Sequence, residues 1–357
     1  CAEDERKANA NLAALLAHES GDRDAAIEMV RANLAEKRAN YGDDHPETIV
    51  GMTDLATKEA ELGNFAEARK LVAEAIERSA RVLGEEHRAT LRARYARAWL
   101  RLQEGRLRAS GRLYRGVLAE SNRLLGGDNE IAITVRRDLG QLYSQTGRLA
   151  EAEPLLLEAL EHQLATLSPD HRAVLGTRTN LGGLYLDLGR FAEAAEQTEI
   201  SLPAKRRVLG SDHRWTINAM YVLAHAYSGL GRHEEALPLH REFLEYHLRV
   251  AESEDPPPGA RGQVANWHLT YPVEELRDPE RALGLARAEC ARAEADRDPA
   301  LWQHLDTLAL AEHLSGNHAA AVATQERTIA ALPANLPAEW RAELEGYLRE
   351  DREAAEY

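Results

Sequence analysis

Apolar positions in this chain recur on two scales. Within short stretches they return every three or four residues, the spacing that lines one face of an α-helix. Across the chain the whole pattern repeats every 42 residues. One column runs Ala13, Leu55, Leu139, Leu181 and Leu223, interrupted by Arg97; another runs Leu34, Ile76, Leu118, Leu160, Leu202 and Leu244. Between the two columns stand Gly21, Gly63, Gly105, Gly147, Gly189 and Gly231. Five residues after each glycine comes a small residue: Ala26, Ala68, Ser110, Ala152, Ala194 and Ala236. This order predicts a helix ending at glycine, a tight turn, and a second helix that packs closely on the first. Glycine suits the turn because positive φ carries no Cβ clash there. A fixed period of this size predicts an all-α solenoid of stacked helix pairs.

A second glycine set, Gly42, Gly84, Gly126 and Gly210, with Ser168 in its one gap, predicts the loops that join successive pairs. Each loop carries an acid two residues on: Asp44, Glu86, Asp128, Asp170 and Asp212. An acid just before a helix can cap free amides and meet the positive helix end, so these acids are expected to be caps. Pro46 suits a first turn, and Pro154 and Pro238 are placed early in their second helices, near donors with no helical partner. Pro203 falls mid-helix, which predicts a kink or a split there.

The segments NLGGLYLDLGRFAEA (180–194) and DLGQLYSQTGRLAEAEPLLLEALE (138–161), with their LGxxH loops, resemble tetratricopeptide repeats of the long-loop kind typified by kinesin light chain. The resemblance implies antiparallel helix pairs in a right-handed superhelix, with a concave groove lined by the first helix of each pair. The unit around Gly105 departs from the pattern, having Arg97 and Arg101 where apolar residues are usual. The expected organisation is six 42-residue units over 1–250, a proline-rich connector at 251–262 (Ala251 to Gly262, AESEDPPPGARG), two shorter units over 263–335, and a polar capping helix at 336–357. The tail resembles repeat regions of multidomain bacterial signalling proteins. Leu12, Leu15 and Leu16 have no polar cap before them, which predicts further repeats or a signalling domain upstream of Cys1.

Composition narrows the function classes. The formal charge of −15 argues against nucleic acid or an anionic membrane as a general partner. No apolar run approaches the length of a membrane span. The two cysteines, Cys1 and Cys290, form no disulfide framework, which fits a reducing, cytoplasmic setting; a lipid anchor on Cys1 is the alternative.

Catalytic signatures are lacking: no phosphate-cradling glycine loop, zinc-peptidase helix motif, nucleophile elbow, kinase signature or paired CxxC occurs. The expectation is therefore a non-catalytic protein with no cofactor. His233, His240 and His247 share a helical face, but a spacing of seven separates neighbours by about 10 Å, too far for one metal. Loop histidines His45, His87, His171 and His213 are read as ordering their loops.

The binding candidates flank the leucine column on the first helices. They are Tyr95 with Trp99, Arg137 with Gln141, and Tyr221 with His225, joined by Arg92, Asn218 and Asn180. Asn180 resembles the asparagine with which many such repeats hold a peptide backbone. Aromatic anchors with Arg and Asn between them suit a peptide or a partner helix, although Tyr95, Trp99 and Tyr221 could equally pack between helices. A protein-interaction scaffold is the leading expectation, and a sensor arm of a larger bacterial signalling enzyme (a serine/threonine kinase, a STAND-type ATPase or a protease) is the alternative.

Overall fold

A computed structural model describes residues 23–333 and 336–355. Cys1, the helix expected around Leu12 to Leu16, and Gly21 lie outside the described residues. Among the described residues the chain is all-helical, with sixteen α-helices and no strand. It divides into two compact units, residues 1–230 and 231–357.

The first unit contains α1 (Arg23–Tyr41), α2 (Pro46–Glu61), α3 (Phe65–Leu83), α4 (Arg88–Gln103), α5 (Leu107–Leu125), α6 (Glu130–Gln145), α7 (Leu149–Thr166), α8 (Arg172–Asp187), α9 (Phe191–Leu209) and α10 (Arg214–Gly229). The pairs α2/α3, α4/α5, α6/α7 and α8/α9 pack as hairpins, and each even-numbered helix also meets the next even-numbered one. These first helices therefore form a continuous ladder. In the second unit, α11 (His233–Ala251), α12 (Ala260–Thr270), α13 (Pro279–Ala295), α14 (Leu301–Leu314), α15 (His318–Ala330) and α16 (Ala338–Ala355) pack in chain order.

Each hairpin is pinned where two small residues cross. Ala56, Ala98, Gly140 and Gly182 follow the leucine column on the first helices and are buried. Ala98, Gly140 and Gly182 face the small residue near the start of the second helix. Ser110 Oγ donates to the Ala98 carbonyl at 2.8 Å. A Cβ on Gly140 would stand 3.3 Å from the Ala152 carbonyl and 2.8 Å from Leu156 Cγ. On Gly182 it would stand 2.5 Å from Thr198 Oγ1 and 3.4 Å from the Ala194 carbonyl. The leucine column packs beside this crossing: Leu55, Leu139 and Leu181 are buried, whereas Arg97 is exposed and buried Ala96 and Ala98 flank it.

The loops work differently from expectation. The N-caps are the residues one place after the acids. His45, His87, His171 and His213 each accept through Nδ1 from the amide two residues on, at 3.1–3.2 Å. Asn129 takes the same place and accepts from the Ala132 amide at 3.0 Å. Thr48, Thr90 and Thr216 close their loops by donating to the carbonyls of Gly42, Gly84 and Gly210, each at 2.8 Å. The acids sit one residue too early to cap, and four of them reach the second helix of the following hairpin instead. Asp44 pairs with Arg78 and Arg81, Glu86 with Arg123, Asp128 with His162 and Asp170 with Arg207.

The proline expectations also need correction. The helix carrying Pro203 is unsplit over Phe191–Leu209, and Pro154 lies in the second turn of its helix, beyond the unpaired donors. Pro154, Pro203 and Pro238 are all exposed, so the helix bond each one forgoes faces water while the opposite face stays packed.

Two substitution pairs test these devices. His87→Ala should lose about 1 kcal/mol of stability in chemical denaturation, and His87→Asn should retain it, since asparagine already serves at position 129. Gly182→Ala should destabilise by about 1–3 kcal/mol through overpacking, although alanine favours helix. The adjacent Gly183→Ala, whose Cβ would meet nothing within 4 Å, should instead stabilise by about 0.5–1 kcal/mol.

Candidate functional site

The first-helix ladder of the first unit carries three adjoining clefts. One of about 220 Å³ is lined by Arg92, Tyr95 and Trp99 with residues of α2. A central one of about 630 Å³ shares Tyr95 and Trp99 with it and continues past Arg137, Gln141, Asn180 and Asn218. A third of about 550 Å³ shares those three amides and ends at Tyr221 and His225. All nine sequence candidates thus line one run of clefts spanning α4, α6, α8 and α10.

Their environments differ. Tyr95 is half-buried, and its hydroxyl donates to Asp138 Oδ2 at 2.7 Å. The Arg137 guanidinium takes the other oxygen of the same carboxylate, with Nε 2.8 Å from Oδ1. Burial, then the Asp138 charge, pushes the Tyr95 phenol well above its ordinary value, and Asp138 holds Arg137 more firmly protonated. Tyr95 and Arg137 are therefore tied together through a buried acid, and part of Arg137's charge is already matched. Trp99 is partly buried against the core of the first repeats. Asn180 Nδ2 lies 3.5 Å from Gln141 Oε1, so amides of neighbouring helices meet at the join of two clefts. Tyr221 is 40% exposed and its ring stands 4.2 Å from that of His225. Burial raises the Tyr221 phenol and lowers the His225 imidazole. Arg92 and Asn218 are exposed.

Among the lining residues of the central cleft that were not foreseen, four are charged: Asp138, Arg172, Lys205 and Arg214. Lys205 is the most informative. It belongs to a second helix, α9, yet it lines the central cleft while only 2% exposed. Its ammonium donates to Thr179 Oγ1 at 2.6 Å and to the Trp215 carbonyl at 3.1 Å, both neutral acceptors. Among the described residues no carboxylate pairs with it, and burial lowers its pKa to about 8. Arg172 lies over the Trp215 ring, 5.2 Å from its centre. A signal for Lys205 exists in the sequence. Sixteen residues after each turn glycine stands a polar residue: Lys37, Ser79, Ser121, Gln163, Lys205 and His247. Ser79, Ser121, Gln163 and Lys205 are buried, inside otherwise amphipathic helices. Attention to the first helices alone passed over it.

The tetratricopeptide repeat profile matches residues 4–78, 100–165, 145–202 and 173–247, more than half of the chain. This chain belongs to the tetratricopeptide repeat family. The stretch between the first two matches includes Arg97, where the apolar column fails. None of the curated proteins matches the chain. Among solved structures it is similar to BtubC (BKLC) from P. vanneervenii, 18% identical over 68% of this chain and 94% of that one, with a TM-score of 0.50. It is also similar to a putative kinesin light chain with nearly identical TPR-like repeats from Podosopora anserina, 24% identical over 58% and 99%, TM-score 0.47. A third is a STAND signal-transduction ATPase with a tetratricopeptide repeat sensor from Pyrococcus horikoshii, 15% identical over 88% and 40%, TM-score 0.45. At these identities the likeness is one of fold. No described helix is long and apolar enough to cross a membrane.

Tetratricopeptide repeat domains are typically protein-interaction modules. Lys205 supplies a pH test of the cleft. Its folded pKa is depressed, so between about pH 8 and the ordinary 10.5 the unfolded chain binds more protons than the folded one. Stability should therefore rise with pH across that window in the wild-type repeat protein. The rise should flatten in Lys205→Met, as followed by denaturant midpoints at stepped pH.

Proposed function

We propose that this protein is a non-catalytic interaction scaffold that holds an extended partner segment, a peptide or a strip of a partner's surface, along the first-helix face between Arg92 and His225. The observation that carries the reading is the continuity of the three clefts across four successive first helices. Their chemistry is graded to suit such a segment. Gln141, Asn180 and Asn218 at the centre offer amide donors and acceptors to a main chain. Trp99 and Tyr221 toward the ends offer ring faces to apolar side chains.

Charge refines the ligand. The central cleft is lined by Arg137, Arg172, Lys205 and Arg214 against the single acid Asp138, in a chain whose formal charge is −15. A buried ammonium with only neutral acceptors is held at a desolvation cost that an incoming anion would offset. The reading is thus of a segment with a carboxylate near its middle. The apolar ends give it grip, and the cations fix its register.

An array of fluorescent 15-residue peptides with graded acidic content, titrated by anisotropy, tests this. Wild type should bind acidic members in a salt-dependent manner. Asn218→Ala/Tyr221→Ala, altering exposed positions, should weaken them at least tenfold, and Lys205→Met should abolish the preference for acidic peptides. A binding pattern untouched by both variants would remove the assignment of this face.

A further inference from the structure

The second unit gathers three potential metal-binding side chains from three different helices, two of them facing each other across one turn and the third, Asp351, 38 residues beyond His313. His313 lies in the last turn of α14, His318 opens α15, and Asp351 lies near the end of the closing helix α16. His313 Nδ1 stands 2.5 Å from Asp351 Oδ1, and the two imidazole rings meet edge-on at 5.1 Å. One potential ligand atom from each residue lies within 4.8 Å of the other two. Asp351 is only 5% exposed.

A plain imidazole–carboxylate pair accounts for two of the three residues. It leaves His318 unexplained, because His318 Nδ1 is buried with no hydrogen-bond partner. Leaving a buried nitrogen unmatched costs about 1–3 kcal/mol, and nothing in the hairpin turn demands histidine there. The N-cap is Asn317 and His318 is the first helical residue, so capping does not explain the histidine. A cation bonding to the free lone pair would remove that cost and use the carboxylate's charge at the same time.

We infer that His313, His318 and Asp351 form a divalent-cation site of zinc type. Two imidazole nitrogens and one carboxylate oxygen are the donor set borderline cations favour, with the fourth position left to water. Metal–ligand distances of about 2.0–2.2 Å bring tetrahedral donors to roughly 3.3 Å from one another. The His313–Asp351 contact at 2.5 Å must therefore open slightly and His318 must draw in toward the other two, adjustments that side-chain rotation supplies. The site couples the last hairpin to the closing helix, so occupancy fastens α16 to α14 and α15. Helix periodicity gives no warning of it, because its members sit at helix ends on separate helices, unlike the evenly spaced His233, His240 and His247. Of those, His240 is fully buried and bonded to the Tyr271 hydroxyl at 2.8 Å, and His247 packs between Phe243 and Trp267.

The test is calorimetric titration of the chelator-stripped, reduced full chain with zinc chloride alone, paired with hydrogen exchange across residues 338–355. Wild type should take up one zinc per chain at this site, with exchange in α16 slowed on binding. His318→Gln, which preserves side-chain bulk at an unbonded position, should weaken that binding about a hundredfold and remove the slowing. Asp351→Asn should do the same, with circular dichroism confirming that both variants remain helical. The assignment is overturned if wild type takes up no stoichiometric zinc. It is equally overturned if the affinity and the α16 exchange response survive in His318→Gln.

Discussion

The first unit depends on how closely two helices can cross inside one hairpin. At Ala98 against Ser110, Gly140 against Ala152 and Gly182 against Ala194, side chains are small enough for a backbone carbonyl to stand within contact of the opposite helix. That approach sets the hairpin angle, and with it the distance from one first helix to the next. The leucines beside the crossing fill space that the crossing defines, which is how the unit around Gly105 tolerates Arg97. With the crossing intact at Ala98 and Ser110, an exposed arginine in the leucine column does not break the ladder.

Periodicity made most of this legible. Glycines with positive φ appear where the two glycine registers placed them, at Gly42, Gly63, Gly84, Gly105, Gly126, Gly147, Gly189, Gly210 and Gly231. Positions that depend on three-dimensional neighbours were less accessible. An acid before a helix start is a good cap in principle, but the imidazole one residue later is better placed, and the acid finds an arginine 34 or 37 residues away. Pro203 looked disruptive because the sequence does not say which side of its helix meets water.

The candidate face was legible to the same degree. The residues chosen by their offset from the leucine column fall on the cleft run, because a helical offset translates directly into a face, and Asn180, chosen by resemblance, lines it too. What the offset could not give is how those residues are wired. Tyr95 and Arg137 share one buried carboxylate, and the floor of the central cleft comes from a second helix through Lys205. Its register position does structural work in the other repeats: Ser121 donates to Asn129, and Gln163 accepts from Thr177 on the next first helix at 2.7 Å. Lysine at that station keeps the tie, through Thr179 and Trp215, and adds a charge. A packing position has thereby become part of the face.

The ion pairs running from four of the loops to the following hairpins have a mechanical consequence. They are mostly exposed, and such pairs lose strength as mobile ions gather within the Debye length of about 8–10 Å near physiological salt. The array is accordingly stiffest in dilute solution and grows more compliant as ionic strength rises. Since every cleft draws its walls from at least two successive hairpins, the spacing of those walls follows the same variable. Electrolyte thus acts on the clefts from the loops as well as through the exposed Arg92–Asp54 pair that lines one of them.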